Sequence, residues 1–210
     1  MAKKATELVL VLDRSGSMSA TKDDAEGGLR EFVKKQRKVP GKGTLTFYRF
    51  DTENERVFED KPLKSVEDAE LVLEPRGGTA LLDAIGRAIN DVEARHKKFK
   101  RAYRPNVIFL FVTDGQENSS REFTRGQVFK MIDDKRAEYD WDFVFVGSNQ
   151  DAIAEGSSLG ISVNSALNYG SKSHWNSYQA LGSAVARSRT MGGAVCFTAD
   201  ERDLSMTEDE

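Results

Sequence analysis

The run Leu8-Val9-Leu10-Val11-Leu12-Asp13-Arg14-Ser15-Gly16-Ser17-Met18-Ser19 decides how this chain is read. Five consecutive apolar residues suit a strand buried on both faces, as in a parallel sheet, rather than one with a wet face and a dry face. The strand stops at a carboxylate, and two hydroxyls follow within five residues on a turn that leads into a helical pattern. Ala25, Leu29, Phe32 and Val33 recur at i, i+4, i+7 and i+8 and form one apolar stripe to lay on that sheet. Ligands of open α/β sheets bind beyond the carboxyl ends of the strands, where the strand order reverses, so polar residues at a strand end are the ones to follow.

Three further apolar runs, Leu45 to Phe50, Val107 to Val112 and Phe143 to Val146, repeat the strand signal. Leu81, Ile85, Ala88, Ile89 and Val92 repeat the helical stripe, and Thr124 with Gln127 marks the start of another helix by a capping box. The predicted order has strands at 6–13, 43–51, 55–60, 106–113, 142–147 and 161–164. Helices are predicted at 20–37, 65–73, 79–97, 124–138, 151–158 and 173–189, those at 65–73 and 151–158 being short. Strands alternating with helices predict a doubly wound α/β fold. The strands at 43–51 and 55–60 lie too close for a helical crossover and must form a hairpin around Asp51 to Asn54. The expected architecture is therefore a mostly parallel six-stranded sheet with one antiparallel edge strand and helices on both faces. Residues 1–199 are expected to form one domain, and residues 200–210, with six acidic side chains, an acidic, flexible C-terminal tail.

Composition narrows the function classes. With 210 residues, 39% hydrophobic and 31% charged, the chain has the apolar material for a core. A net charge of −3 lacks the basic excess of a phosphate-binding protein, so nucleic acid is not an expected partner. Cys196, His96 and His174 are the only soft ligands, too few for structural zinc, and one cysteine points to a reducing compartment, or at least to a fold without disulfide staples. Leu8 to Leu12 is too short for a signal h-region or a membrane span, so a soluble cytoplasmic protein is expected.

Two other loops end near strand or helix boundaries: Thr113-Asp114-Gly115 after an apolar run, and Arg76-Gly77-Gly78-Thr79 before a helix. Together with Asp13, Ser15 and Ser17 they supply hard oxygen ligands from three loops, with no nitrogen or sulfur. Such a set suits Mg2+, with Mn2+ or Ca2+ as substitutes. Neutral hydroxyls leave the cation electron-poor and ready for another anionic oxygen, which makes the site a binding device. Taken singly, each piece also has a plain reading: a capped strand-to-helix turn, a helix N-cap at Thr79, a turn at Asp114-Gly115.

Asp-x-Ser-x-Ser after an apolar strand, then Gly-Gly-Thr, then Thr-Asp-Gly, in that order, resembles the von Willebrand factor A domain with its metal-ion-dependent adhesion site. The resemblance spans about residues 6 to 190, and all five motif positions are present. It implies that Ser15 and Ser17 bind the metal directly and Thr79 directly or through water. Asp13 and Asp114 would act mostly through water, and an Asp or Glu of a partner protein would complete the shell. The stretch from Phe143 to Ile161 is similar to compact stand-alone A domains of bacteria and phages. The implied function is a non-enzymatic, metal-dependent protein-binding module. Its partner would be an assembly such as an AAA+ ATPase of the MoxR type or a virion or host-takeover complex. An alternative is a structural or assembly subunit whose metal is mainly stabilising. A Mg2+-dependent phosphohydrolase with Asp13 as nucleophile fits poorly, since Ser15 stands where the second acid would be and no phosphate-binding lysine or Gly-rich loop is evident.

Other residues carry competing readings. Asp51 starts the hairpin turn or orients a metal-bound water, the turn being the expected role. Arg95 to Arg104 is rich in basic side chains, read as a solvated helix C-terminus or as a site for phosphate or an acidic protein. Arg14, Met18, Arg76, Gln116, Glu117 and Asn118 are expected to form the rim of the site, where Arg14 and Arg76 pair with a second acidic group of the ligand or stand in solvent. His174 and Cys196 are expected to pack, with Trp175 as a possible exposed contact.

Overall fold

The computed structural model describes residues 4–148, 152–170 and 174–207. Its strands are β1 (Thr6–Asp13), β2 (Gly43–Phe50), β3 (Asn54–Pro62), β4 (Asn106–Thr113), β5 (Asp142–Ser148) and β6 (Ala166–Tyr169). Its helices are α1 (Lys22–Lys38), α2 (Leu81–His96), α3 (Arg125–Tyr139), α4 (Ala152–Ser158), α5 (His174–Met191) and α6 (Ala199–Met206). The sheet order is β3-β2-β1-β4-β5-β6, with every neighbouring pair parallel except β2 and β3. This is the expected architecture. The chain winds outward from β1 in one direction, returns across α2, and winds outward from β4 in the other, so the reversal lies between β1 and β4.

Every residue of β1 is buried, because helices cover both faces of the sheet. Leu8, Leu10 and Leu12 point into one apolar layer with Leu29 and Phe32 of α1 and Leu181 and Val185 of α5. Val9 and Val11 point into the other, with Ile85 and Ile89 of α2 and Val128 and Ile132 of α3. The two layers hold β1 rigidly and fix where its last residue, Asp13, emerges.

Three expectations need correction. The helix predicted at 65–73 is instead two single turns, Leu63–Ser65 and Asp68–Glu70, in an otherwise extended segment. Leu63, Val66, Leu71 and Leu73 are all buried, and their uneven spacing follows no helical stripe. The last strand is not at 161–164 but at Ala166–Tyr169; the Ser162 hydroxyl accepts from the Asn164 N–H and starts a turn over Val163–Ser165 first. The flexible tail expected from residue 200 is, as far as Thr207, folded. Thr198 and Glu201 form a capping box for α6, Arg187 pairs with Glu201, and the Ser205 hydroxyl donates to the Asn168 carbonyl at 2.7 Å. A high acidic content is compatible with a helix when its acids serve as caps and ion-pair partners. Residues 208–210 of that tail, Asn149–Asp151 of the stretch compared with stand-alone domains, and Ser173 at the expected start of the last helix lie outside the described residues.

Candidate metal centre

All five residues singled out by the sequence lie at the carboxyl edge of the sheet, around the β1/β4 reversal. Asp13 ends β1, Asp114 follows β4, and Thr79 precedes α2. Backbone hydrogen bonds bind the three loops to one another. Gly16 N–H donates to the Gly77 carbonyl, Arg76 N–H to that of Arg14, and Asn118 N–H to that of Thr79 at 3.0 Å. In return the Asn118 side-chain oxygen accepts from the Thr79 N–H at 2.9 Å.

Asp13 is fully buried. One carboxylate oxygen accepts from the Ser15 N–H and the other from the Thr113 hydroxyl, both at 2.6 Å. The Ser15 and Ser17 hydroxyls lie 2.9 Å apart, and that of Ser17 donates to Asp114 Oδ1 at 2.6 Å. Burial dominates the electrostatics. It raises Asp13 to a pKa of about 6 against the hydrogen bonds from Thr113 and Ser15, with the charge of Asp114 adding to the rise. It also raises Asp114, although the Ser17 hydroxyl opposes this.

A direct measure of convergence comes from Gly115. A Cβ placed on that glycine would stand 2.9 Å from Thr79 Oγ1, 3.6 Å from Asp13 Oδ2 and 3.7 Å from Ser15 Oγ. Three oxygens from two loops, the Asp13–Ser15 turn and the loop before α2, thus surround one small space beside the third loop that only a glycine leaves open. Thr79 is itself buried. Two carboxylates and three hydroxyls form an all-oxygen set matched to a hard divalent cation. Among the described residues no three His, Cys, Asp or Glu side chains gather at a metal-sized site, so the hydroxyls are essential to any ligand set here.

The rim differs from expectation. Arg14 is not at the surface; its side chain is 2% exposed and paired with Asp51 at 2.8 Å and Glu55 at 2.5 Å. Arg76 donates to the same Asp51 oxygen at 2.8 Å and also reaches Glu53. Neither arginine is therefore held ready for a second acidic group of a ligand. Asp51 starts the hairpin, accepting from the Glu53 N–H at 2.8 Å. Burial would raise its pKa, but the hydrogen bonds from Arg76 and Glu53 and the charge of Arg14 hold it below the usual range. Glu117 accepts from the N–H groups of Leu82, Ser119 and Ser120, and Met18 is buried, whereas Gln116 and Asn118 are exposed. Two supporting residues carry little signal in the sequence. Thr113 reads only as part of Thr-Asp-Gly, although its place at the strand end aims its hydroxyl at Asp13. Asp83 accepts from the N–H groups of Arg121, Glu122 and Phe123 and so ties α2 to the segment after Asp114.

The basic segment is largely occupied at the opposite edge of the sheet. Arg95 and His96 meet the buried Glu7, Lys97 pairs with Glu93, and Arg104 lies over the Tyr139 ring. His174 is buried with its ring edge against Tyr169, Cys196 is exposed rather than packed, and Trp175 rests on Gly27.

No protein-family model matches the chain, and no curated protein matches it. Solved structures do. Proximal thread matrix protein 1 from the mussel byssus superposes with a TM-score of 0.65 at 15% identity over 88% of this chain and 46% of that one. A von Willebrand factor type A protein from Catenulispora acidiphila gives 0.61 at 12%, over 89% and 43%. Manganese-loaded Plasmodium vivax TRAP protein gives 0.52 at 14%, over 70% and 58%. A further structure of the mussel protein is described as having a zinc-occupied MIDAS motif (0.57, 19%, over 81% and 42%). This chain has the von Willebrand factor A fold. It spans a little under half the length of the mussel and Catenulispora proteins.

Proposed function

We propose that this chain is a non-enzymatic, divalent-metal-dependent protein-binding module. Asp13, Ser15, Ser17, Thr79 and Asp114 hold the cation, and an Asp or Glu of a partner protein completes its shell. The observation that carries this reading is the convergence of Thr79 Oγ1, Asp13 Oδ2 and Ser15 Oγ on the space over Gly115. A bound Mg2+, with Mn2+ or Ca2+ as substitutes, supplies an electron-poor centre that accepts one more carboxylate oxygen. The chain's own residues do the rest. Thr113 and the Ser15 N–H orient Asp13, Ser17 orients Asp114, and the laced loops keep the oxygens together. Manganese in the TRAP structure and zinc in the mussel protein support divalent metal binding by this fold.

Nothing at the site resembles a catalytic set. Asp13 has both oxygens engaged and is inaccessible to an incoming phosphorus, and the nearby arginines are bound to Asp51, Glu53 and Glu55. The partner we propose is a larger assembly, of the AAA+ ATPase or the virion or host-takeover kind, in the cytoplasm. No described helix is long and apolar enough to cross a membrane. The test is affinity purification of tagged wild type and Asp13→Ala side by side with Mg2+ retained, followed by a chelator wash. A partner held by wild type alone and released by chelator is expected. Identical partners that resist chelator would refute metal bridging and leave a structural subunit.

A further inference from the structure

Beside the metal centre the carboxyl ends of β4, β5 and β6 lie in register. Thr113 pairs with Gly147 and Gly147 with Asn168, while Ser148 pairs with Tyr169. Side chains alternate along a strand. Val112 on β4, Val144 and Val146 on β5 and Leu167 on β6 all face the layer under α1 and α5. The next residues of the same parity on β5 and β6 are Ser148 and Tyr169, which therefore share one face, with neighbouring strands about 4.8 Å apart; Asp114 stands in the bend immediately after β4.

Ser148 is 1% and Tyr169 3% exposed, and among the described residues neither hydroxyl finds a partner of full hydrogen-bond geometry, although Ser148 lies near enough to act on the Tyr169 hydroxyl as a donor. An unpartnered buried hydroxyl costs roughly 1–3 kcal/mol, so two side by side call for an acceptor that reaches them in some state of the protein. One with capacity left stands just past β4. Asp114 accepts from the Ser17 hydroxyl on Oδ1, with its own backbone N–H also acting on the carboxylate, and among the described residues no other side chain donates to it. Burial raises the Tyr169 pKa well above its ordinary value, and the charges of Tyr178, Asp114 and Asp13 add to the rise while a hydrogen bond from Ser148 opposes it.

We propose that Ser148 and Tyr169 are positioning residues for the metal centre. Their hydroxyls form a donor row behind Asp114 and secure its carboxylate in the cation-bound arrangement. The proposal rests on the metal reading above and adds to it a reason why cation affinity depends on β5 and β6, which carry none of the ligands.

The test compares wild type, Tyr169→Phe, Ser148→Ala and Asp114→Ala by calorimetric titration with Mg2+, alongside thermal unfolding in EDTA. Removing an unpartnered hydroxyl leaves the metal-free protein as stable as wild type or more so. The expected result is therefore an unchanged or higher Tm in EDTA with Mg2+ affinity weakened roughly tenfold, the loss of one hydrogen bond to a charged group. If wild type binds Mg2+ and both hydroxyl variants bind it equally well, the proposal is overturned while the metal reading stands. Weaker binding with an equally lowered Tm in EDTA also overturns it, in favour of simple packing. A wild type whose titration matches that of Asp114→Ala overturns the metal reading and this proposal together.

Discussion

Replacing Asp13 by Asn separates what this carboxylate does for the fold from what it does for a cation. Burial holds its pKa near 6, against 3.8 for the free side chain. A group with a raised folded pKa stabilises the fold only while protonated, so its contribution is lost as pH rises toward 6. A difference of about two units corresponds to about 3 kcal/mol of destabilisation in the metal-free protein at neutral pH. Asn keeps the geometry: its oxygen accepts from the Ser15 N–H, and its NH2 donates to Thr113, whose hydroxyl has the Gly115 carbonyl as an alternative acceptor at 3.1 Å. Asp13→Asn is therefore expected to stabilise the protein in EDTA by up to about 3 kcal/mol above pH 6, or about 6–12 °C in Tm for a domain of this size. Most of the gain disappears near pH 4, where Asp13 is protonated in the folded state and about half protonated in the unfolded one. Added Mg2+ should stabilise wild type and leave the variant unmoved, since binding to the native state alone raises stability. Urea unfolding at pH 7.5 and pH 4, with EDTA or Mg2+, reads all of this. A variant less stable than wild type in EDTA at pH 7.5, or one that Mg2+ stabilises as it does wild type, would refute the reasoning.

Gly115→Ala should abolish Mg2+ binding and cost about 1–3 kcal/mol of stability, because the new methyl occupies the space among Thr79, Asp13 and Ser15 and crowds the buried Thr79 hydroxyl. Unaltered affinity on titration would show that the cation sits elsewhere. Asp83→Ala removes the acceptor of three backbone N–H groups and should cost about 3 kcal/mol in urea unfolding; a loss under 1 kcal/mol would contradict the bracing role assigned to it. His174, buried and with its pKa lowered to about 4, stabilises the fold above pH 6.5 and loses that contribution as pH falls toward 4. His174→Gln should accordingly flatten the decline of stability between pH 6.5 and 4, and an unchanged slope would show that the ring titrates normally.

Much of this was legible in local sequence. The unbroken apolar run of β1 announced a strand buried on both faces, and Asp13, Ser15, Ser17, Thr79 and Asp114 could be grouped because strand ends in such a sheet meet at one edge. What sequence hid was long-range pairing. Arg14 reads as a solvent-exposed residue after a strand, yet Asp51 and Glu55, far along the chain, make its burial possible. Asp83 looks like an ordinary first-turn acid until the loop at 121–123 is seen folding onto it. The acidic residues of α6 read as a tail because charge density was weighed above the Thr198/Glu201 capping pattern, which was present in the sequence. The shift of β6 from 161–164 to 166–169 reflects a serine cap, a local feature that the alternation of Ile161 and Val163 outweighs on paper but not in the fold.

The central claim is that a divalent cation sits among Asp13, Ser15, Ser17, Thr79 and Asp114. Calorimetric titration of Mn2+ into wild type and Asp114→Ala at pH 7.5 addresses it most directly. The account predicts one equivalent bound by wild type and none by a variant whose circular dichroism is native. Identical isotherms from the two folded proteins would contradict it.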